Sequence, residues 1–423
     1  PRDTGAVLAC CEKWDLSGAV IGRVTDGELI RVHRDGALVG ELPVRALVDE
    51  CPLYDLAPAR PAAPLYAPSA ATLAREASAR EALLALLASA NLSSRRPLFE
   101  RYDALVQGRT VRRPQTADAA VLALPDGSAL AVSIDCNGRR VAADPYTGTL
   151  AAVLECAANL ACAGAQPLGT TNNLNFGNPE KPHIAWQLSE AVRGLGDACR
   201  ALAAPIVGGN VSLYNEGPTG PIYPTPVIGM VGRLPDARRA GRLGFARAGA
   251  QIAVVGPFAP SLAASELSKL RGDELPGALP AIDIGAVIAA QAAVREAVRA
   301  GALSSAHDIA EGGLLVALAE CCLAGSIGAQ IEIEENVARD DAALFGEGAG
   351  GFLVSGDADA VLALARVVST RRLGTVGGER LRVVAARPSR GPSGPPPNGP
   401  VDVVDVGLDE LAQAHAALSE LFE

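Results

Sequence analysis

The sequence predicts a protein of mixed helices and strands, in the α/β or α+β class, that folds as more than one domain. Apolar strand-like runs alternate with helical segments along the chain, the order that is typical of this class. A chain of 423 residues exceeds the usual size of a single hydrophobic core. Apolar residues make up 49% of the sequence and charged residues 20%, a composition that excludes a largely disordered chain.

Local patterns predict the individual elements. Two apolar runs, at 120–124 and 129–134, flank the turn dipeptide Asp126-Gly127 and predict a pair of strands. Apolar residues at helical spacing predict helices, and other short apolar runs predict strands. The helices are predicted over 71–90, 149–163, 184–203, 284–300 and 313–323, and the further strands over 205–207, 226–231 and 251–255. Three polar segments rich in Gly and Asn, at 167–179, 207–215 and 307–313, are predicted to be loops.

A repeat relates the two ends of the chain. The matched runs are 6–8, 22–24 and 27–32 near the start, and 360–362, 374–376 and 378–383 near the end. One interpretation is a duplicated protein of which this chain holds one full copy and the tail of the other. Chance similarity between two small units of helix and strand is the alternative.

Composition and motifs exclude several classes of protein. The net charge is −10 without a basic cluster, which argues against nucleic-acid binding, and no apolar run is long enough to span a membrane. Nine cysteines without CxxC spacing and only four histidines argue against zinc and against a disulfide framework, and favour reduced thiols in a cytoplasm. No lysine follows a glycine, so there is no Walker A loop. Gly346, Gly348 and Gly351 form a GxGxxG that precedes a predicted strand, whereas a dinucleotide-binding loop opens a helix.

The polar loops and one helix supply candidate ligand-binding groups. Glycines beside amide and hydroxyl side chains let backbone N–H groups approach phosphate oxygens, and Asn and Asp oxygens suit Mg²⁺. Glu155 and Asn159 are four residues apart and therefore share one helical face, and Asp135 ends a predicted strand. Ordinary Asn/Gly turns and a solvated helix face are the alternatives.

These motifs, in this order, resemble the second half of phosphoribosylformylglycinamidine synthase, the synthetase subunit of purine biosynthesis. The close matches are 144–146, 174–179, 208–215 and 223–229, and the looser ones are 265–266 and 308–313. The resemblance implies an α+β fold of duplicated modules like aminoimidazole ribonucleotide synthetase. It also implies the domains: 1–58, a remnant of the first half's second domain; 59–98, a linker and helix; 99–240, a nucleotide-binding domain; and 245–423, a second domain with a disordered loop at 387–400.

The resemblance further implies an ATP-dependent carbon–nitrogen ligase that uses Mg²⁺. Such an enzyme phosphorylates the amide oxygen of formylglycinamide ribonucleotide, and ammonia then displaces phosphate to give the amidine. The ammonia comes from a separate glutaminase subunit, bridged by a small third protein in the cytoplasm. The missing first half of the synthetase is a further implied partner.

Site residues follow from the resemblance by position. It implies ATP contacts at Gly209 and Asn172, a Mg²⁺ ligand at Asn210 and a substrate contact at Ser212. Many relatives have Asp where this chain has Asn172. The resemblance also implies a second, non-catalytic nucleotide site whose Mg²⁺ is held by Asp135, Glu155, Asn159 and Asp308.

The chain departs from the family in what it lacks. The Glu-Ser-His-Asn-His-Pro run that carries the family's catalytic histidines does not occur, and the ATP-binding lysine is missing with it. No catalytic residue is therefore assigned. Glu347 lies where the first half has Glu-Ser-Gln, but Gly348 and Ala349 replace the last two residues, so no substrate contact is assigned. A non-catalytic nucleotide-binding scaffold, and a related ribonucleotide or selenophosphate synthetase, are the alternatives.

Overall fold

The computed structural model describes residues 2–386 and 401–422, and the chain divides into two compact units, Pro1–Asp55 and Leu56–Glu423. Helices and mixed sheets occur in both halves of the larger unit, and the predicted α+β class is confirmed. The predicted disordered loop at 387–400 lies outside the described residues. The other predicted domain boundaries stay predictions.

The smaller unit is a helix followed by a β-hairpin and a short helix. Its elements are α1 (Thr4–Lys13), β1 (Leu29–Arg34), β2 (Ala37–Pro43) and α2 (Val44–Val48). The two strands pair antiparallel around the turn Asp35-Gly36, where Gly36 has a φ of 83° that favours glycine. None of the described residues of this unit is fully buried. The unit therefore has no hydrophobic core of its own.

The larger unit begins with two helices and a six-stranded sheet. Its first elements are α3 (Ala79–Leu87), α4 (Arg96–Phe99), β3 (Thr110–Arg112), β4 (Ala120–Ala123), β5 (Ala129–Asp135), α5 (Gly138–Ala143), α6 (Pro145–Cys162), β6 (Gln166–Asn175), α7 (Pro182–Ala201), β7 (Ile206–Ser212), β8 (Glu216–Gly217), β9 (Gly220–Pro221) and β10 (Thr225–Leu234). The strand order is β3-β4-β5-β10-β6-β7. Strands β6 and β7 run parallel, and every other neighbouring pair in this sheet is antiparallel.

Among the described residues of the larger unit, helices cover one face of the six-stranded sheet. Helices α6 and α7 pack against it, and their apolar residues form one core with β5 and β10. On the other face, Val132, Ile134 and Val231 are 40%, 73% and 37% exposed. We refer to this face as the open face of the sheet.

A seven-stranded sheet follows along the chain. Its elements are β11 (Gln251–Val255), α8 (Glu266–Leu270), α9 (Ile284–Arg299), β12 (Leu303–Asp308), α10 (Gly313–Gly325), β13 (Ala329–Glu334), α11 (Glu335–Ala338), α12 (Asp341–Phe345), β14 (Phe352–Gly356), α13 (Ala358–Ala365), β15 (Thr370–Val376), β16 (Arg380–Ala386), β17 (Val401–Gly407) and α14 (Leu408–His415). The strand order is β12-β14-β11-β15-β13-β16-β17. Helices α3, α10 and α14 share a core with one face, while α9 and α13 share a core with the other.

Helix α6 contributes to the cores of both sheets. Asp144 caps its N-terminus by accepting a hydrogen bond from the backbone N–H of Thr147, and Pro145 occupies its first turn. Val153 and Leu154 pack under the six-stranded sheet, whereas Ala158 and Cys162 pack with α9 and the seven-stranded sheet. Polar residues on this helix are therefore held at the meeting point of the two layers.

The structure confirms most of the predicted elements and contradicts two. The strand pair around Asp126-Gly127 and the helices over 149–163, 184–203, 284–300 and 313–323 are confirmed, with ends shifted by a few residues. The segments 167–179 and 207–215, predicted as loops, instead form most of β6 and β7. Their predicted loop character was wrong because pairing with β10 and with each other overrides the turn propensity of Asn and Gly.

Candidate functional site

An acidic pocket lies where the six-stranded sheet, α6 and the seven-stranded sheet meet. Asp135 is the last residue of β5, Glu155 and Asn159 lie one turn apart on α6, and Asp308 is the last residue of β12. Glu311, in the turn between β12 and α10, faces the same place, since its charge acts on Asp135, Glu155 and Asp308. These five residues are called the acidic pocket below.

Hydrogen bonds fix three of the side chains in the acidic pocket. Asn159 donates from Nδ2 to Oδ2 of Asp135 over 3.1 Å. Asn137, which caps α5, donates from Nδ2 to Oε1 of Glu311 over 2.8 Å. The amide oxygen of Asn159 is thereby left to accept or to coordinate a cation.

The carboxyl groups of the acidic pocket destabilise one another's charged forms. Burial, followed by the charges of Glu311 and Asp308, raises the pKa of Asp135 well above its usual range. Burial and the neighbouring carboxylates likewise raise the pKa of Glu155, although Arg140 acts in the opposite direction. Burial and Asp118 raise the pKa of Asp308 to about 8. Without a cation, these groups favour protonation at neutral pH.

Buried Arg140 and Glu347 lie beside the acidic pocket. Glu347 accepts hydrogen bonds at Oε1 from the backbone N–H groups of Glu266 (2.7 Å) and Gly312 (3.0 Å). Arg140 Nη1 lies 3.7 Å from Glu347 Oε2. Burial, followed by the charge of Glu311, raises the pKa of Glu347 to about 8 in spite of Arg140. One arginine therefore does not balance the carboxyl groups gathered here.

The donor set of the acidic pocket fits a Mg²⁺ ion. Mg²⁺ prefers hard oxygen ligands, and this pocket offers carboxylate oxygens together with an amide oxygen. Asp135, Glu155 and Asn159 are only partly buried, so an ion has access to them. A divalent cation would also relieve the repulsion that raises the pKa values.

A second cluster of ionisable groups surrounds His307. Its Nδ1 lies 2.8 Å from Asp118 Oδ1 and its Nε2 lies 3.0 Å from Glu320 Oε2, while Asp118, His307 and Asp308 together bring their ligand atoms within 4.8 Å. Burial alone lowers the pKa of His307, but Asp118 and Glu320 outweigh it and raise the pKa well above the usual range. A doubly hydrogen-bonded imidazolium has no nitrogen to offer a metal. His307 therefore serves as an ion-pairing residue that joins β12, α10 and the segment before β4.

The other candidate residues lie on β6 and β7 at the edge of the six-stranded sheet. Asn172 pairs with Gly209, and Asn173 pairs with Asn210. A Cβ atom at position 209 would lie 2.8 Å from Oδ1 of Asn172, so only glycine leaves room for that side chain. Because side chains alternate along a strand, Asn172 and Asn210 point to opposite faces of the sheet.

Asn210 and Ser212 share the open face. Asn210 donates from Nδ2 to Oδ1 of Asn173 over 3.0 Å, which leaves its own amide oxygen for a ligand. Ser212 Oγ lies 3.4 Å from Asn215 Oδ1, and Asn215 donates in turn to the backbone carbonyl of Ser212 over 2.8 Å. Asn210 is exposed and Ser212 is half-buried, so both are accessible from this face.

Sequence reasoning brought the four acidic-pocket residues together but missed several of their neighbours. Glu311, Arg140 and Glu347 were not expected to face the same pocket, and Asp118 was not expected to pair with His307. For Glu311 a signal was present, since it follows Asp308 by three residues in the same glycine-containing segment. Asp118, Arg140 and Glu347 are distant in sequence and offered none.

Comparison with known protein families matches two segments of the chain, which correspond broadly to the two large sheets. Residues 116–234 match the AIR synthase related protein N-terminal domain, and residues 247–385 match the AIR synthase related protein C-terminal domain. The chain belongs to the AIR synthase related proteins. The two matched segments contain all strands of the six-stranded sheet except β3, most of the seven-stranded sheet, and the whole acidic pocket.

Among curated members of this family, the similarity is to PurL subunits of phosphoribosylformylglycinamidine synthase. The chain is 44% identical over 397 residues to that of Thermomicrobium roseum and 43% identical over 385 residues to that of Moorella thermoacetica. These matches cover 90% and 89% of this chain, but 54% and 52% of the relatives. The chain thus spans about half the length of the curated relatives it matches. The resemblance recognised from the motifs is confirmed.

Solved structures show the same fold. PurL of Thermotoga maritima complexed with ATP has a TM-score of 0.56 and 22% identity, and the match covers 89% of this chain and 53% of that one. The same protein complexed with FGAR has a TM-score of 0.62 and 18% identity, with 78% and 52% covered. The predicted fold of the AIR-synthetase type is therefore confirmed. In the described residues, no helix is both long enough and apolar enough to cross a membrane.

Proposed function

We propose that this chain is part of an ATP-dependent ligase that converts formylglycinamide ribonucleotide to formylglycinamidine ribonucleotide in purine biosynthesis in the cytoplasm. The observation that carries the proposal is similarity to PurL subunits along about nine-tenths of the chain. The positions of the motifs support it, because β6, β7 and the end of β12 carry the polar residues that the family resemblance singles out.

The proposed reaction has two steps. The terminal phosphoryl group of ATP is transferred to the amide oxygen of the substrate, which turns a poor leaving group into a good one. Ammonia then attacks the activated carbon, phosphate departs with the oxygen, and loss of a proton leaves the amidine. In this chain, Asn172 and Gly209 would contact ATP, and Ser212 would position the substrate. Asn210 would hold a Mg²⁺ ion, which neutralises phosphate charge when bound.

The acidic pocket would serve a second, non-catalytic nucleotide site. Asp135, Glu155, Asn159 and Asp308 would hold its Mg²⁺, because Asn159 donates to Asp135 and the charges of Asp135, Glu155 and Asp308 act on one another. Buried carboxyl groups without a counter-charge are costly, so a bound cation with its nucleotide would stabilise the fold at this point. This role is structural and moves no proton in the reaction.

The proposed enzyme needs a first half that completes the active site. The open face carries exposed Val132, Ile134 and Val231 on the same side of the sheet as Asn210 and Ser212. An apolar face of this kind is typical of an interaction surface. The smaller unit has no core of its own, which fits the tail of a preceding domain. A glutaminase subunit and a small bridging subunit would supply the ammonia.

A non-catalytic nucleotide-binding scaffold is the second candidate function. Its specific support is the acidic pocket, which can bind a nucleotide without any of the histidines that the family uses for catalysis. The scaffold requires only the acidic pocket, whereas the ligase also requires the residues on β6 and β7.

Reconstitution distinguishes the two candidates. The chain alone is expected to release no phosphate from ATP with formylglycinamide ribonucleotide and ammonia, whereas adding the first half of a PurL relative is expected to give substrate-dependent phosphate release. Activity of the chain alone would contradict the two-half proposal. A reconstituted enzyme whose activity is unaffected by Ser212→Ala and Asn210→Ala would favour the scaffold.

A further inference from the structure

A pocket rich in arginine lies at the far end of β12 from the acidic pocket. It has a volume of about 310 Å³ and is formed between the end of the six-stranded sheet and the edge of the seven-stranded sheet. Four arginines line it, namely Arg112, Arg238, Arg239 and Arg242, together with Ser304 and Ser305. We refer to it as the arginine pocket.

One of the arginines is held in place by the backbone around it, and a second lies close to the backbone. Arg112 donates from Nε to the carbonyl of Gly241 over 2.7 Å and from Nη2 to the carbonyl of Ala240 over 2.6 Å. Arg239 lies against the turn after α9, where any side chain at Gly301 would collide with its Nη1. The arginine pocket thus contains one guanidinium group that backbone carbonyls hold in place, that of Arg112.

The positive charge of the arginine pocket is not balanced by carboxylates. None of its described lining residues is acidic, and within the described part of the chain only Arg238 of the four forms an ion pair, with Asp236. Burial and the nearby charge of Arg242 lower the pKa of Arg112, which shows that these two cations face each other unfavourably. Such an excess of positive charge occurs in a protein whose net charge is −10.

Hydroxyl groups add neutral donors to the same pocket. Ser304 Oγ lies 2.8 Å from Ser355 Oγ, and Ser305 Oγ lies 2.6 Å from the same atom. Ser355 has a single hydroxyl hydrogen and can donate it to only one of these two serines, so that serine keeps its own hydrogen for a ligand. Guanidinium groups with hydroxyls form the donor set that suits a phosphoryl group, because its three oxygens accept several charge-assisted hydrogen bonds at once.

We propose that the arginine pocket binds a small phosphorylated anion at the junction of the two sheets. Its volume lies at the lower end of the range for ligand sites, which suits a pyrophosphate or a nucleoside monophosphate rather than a large cofactor. The bound anion would bring Arg112, Arg239 and Arg242 together without mutual repulsion.

The arginine pocket is connected to the acidic pocket by a single strand. Ser304 and Ser305 lie near the start of β12, and Asp308 ends it, so roughly 10–14 Å of extended backbone separates the two sites. The backbone N–H of Ala306 also donates to the carbonyl of Arg242 over 2.9 Å. Occupancy of the arginine pocket would therefore fix the strand that positions Asp308.

Calorimetric titration of the whole chain with inorganic pyrophosphate tests the proposal. The buffer contains EDTA, because a nucleotide or phosphate bound at the acidic pocket would require Mg²⁺. The wild-type chain is expected to bind pyrophosphate at one site, and Arg239→Gln/Arg242→Gln is expected to weaken the binding at least about tenfold through loss of charge-assisted hydrogen bonds. Parallel titrations with AMP and with inorganic phosphate identify whether a nucleotide or an inorganic anion is preferred.

Two further variants provide the controls. Arg371→Gln/Arg372→Gln removes the same charge from exposed positions on β15 and is expected to leave pyrophosphate binding unchanged. Glu155→Gln is also expected to leave it unchanged, since the acidic pocket is a separate site. The proposal is overturned if the wild-type chain does not bind pyrophosphate, if both double variants lose binding equally, or if Glu155→Gln abolishes it.

Discussion

Asp135 and Asn172 lie level with each other on either side of β10, because both pair with Ile228. Two strand spacings separate their backbones, about 10 Å. Residues that pair directly point to the same face, and Ile228 is fully buried under the helices. Asn172 therefore faces the side of the sheet on which the acidic pocket lies, whereas Asn210 faces the open side. A nucleotide that contacts both must straddle the edge strand β7.

Gly209→Ala is expected to impair ATP binding in the reconstituted enzyme. The new Cβ would lie 2.8 Å from Oδ1 of Asn172 and would displace that side chain. The expected result is a rise in KM for ATP of about tenfold, the equivalent of ~1.4 kcal/mol, measured by phosphate release.

Gly208→Ala is the matched control for this prediction. A Cβ at Gly208 meets only Oγ1 of Thr171, at 3.9 Å, so KM for ATP should change little. An equal rise in KM for both variants would show that ATP binding depends on the flexibility of β7 rather than on the position of the Asn172 side chain.

Asn210→Ala is expected to lower turnover far more than stability. The side chain is exposed and makes one hydrogen bond, to Asn173, so its loss should change the free energy of unfolding by about 1 kcal/mol or less. Loss of a ligand to a metal that stabilises phosphoryl transfer should lower kcat by about 10²-fold or more. Asn173→Ala removes the same hydrogen bond and keeps the Asn210 oxygen, so it should retain most activity. Comparable kcat values for the two variants would contradict a role of Asn210 in metal binding.

ADP with Mg²⁺ is expected to raise the melting temperature of this chain. A ligand at 100 times its Kd stabilises the folded state by about 2.7 kcal/mol. Glu155→Gln/Asp308→Asn should abolish this shift while the protein stays folded, since the amides keep the shape and remove buried negative charge.

Glu332→Gln/Glu334→Gln provides the comparison for the thermal shift. These two carboxylates lie on the exposed side of β13, so their loss should leave the effect of ADP and Mg²⁺ unchanged. Should the acidic-pocket variant keep the full shift, the nucleotide binds elsewhere.

The stability of the Mg²⁺-free chain is expected to fall as pH rises from about 5 to 8. The pKa of Glu347 is raised from its ordinary value near 4.5 to about 8. Between these values the folded state holds a proton that the unfolded state has released, so the free energy of unfolding decreases as pH rises. Chemical denaturation of the wild type and of Glu347→Gln from pH 5 to 8 tests this prediction. The free energy of unfolding should decrease less steeply with pH in the variant. Parallel slopes would mean that Glu347 is charged in the folded protein.

The sequence grouped four residues of the acidic pocket but did not reveal its other members and neighbours. Helical spacing placed Glu155 and Asn159 on one face, and the ends of two strands supplied Asp135 and Asp308. These are local patterns that a single sequence records. The approach of Arg140 and Glu347 depends on how the two sheets pack, which no local spacing encodes.

The strands β6 and β7 show a different limit of sequence reasoning. Their Asn and Gly residues favour turns when taken alone, and the exposed edge strand β7 has no apolar alternation to indicate a strand. The pairing of β6 with β10, and of β7 with β6, makes the extended conformation favourable. The backbone conformation of the residues proposed to contact ATP, metal and substrate was thus predicted wrongly, while their roles stay predictions.

Helix α6 has a consequence for motion within the larger unit. A hinge requires a segment that few contacts cross, yet α6 is shared by two hydrophobic cores, so bending there would open both at once. The two sheets should accordingly move together as one body, and amide hydrogens along α6 should exchange only when the unit unfolds globally. Any displacement that accompanies turnover would then be concentrated in the edge strand β7 of the six-stranded sheet, which is exposed along most of its length.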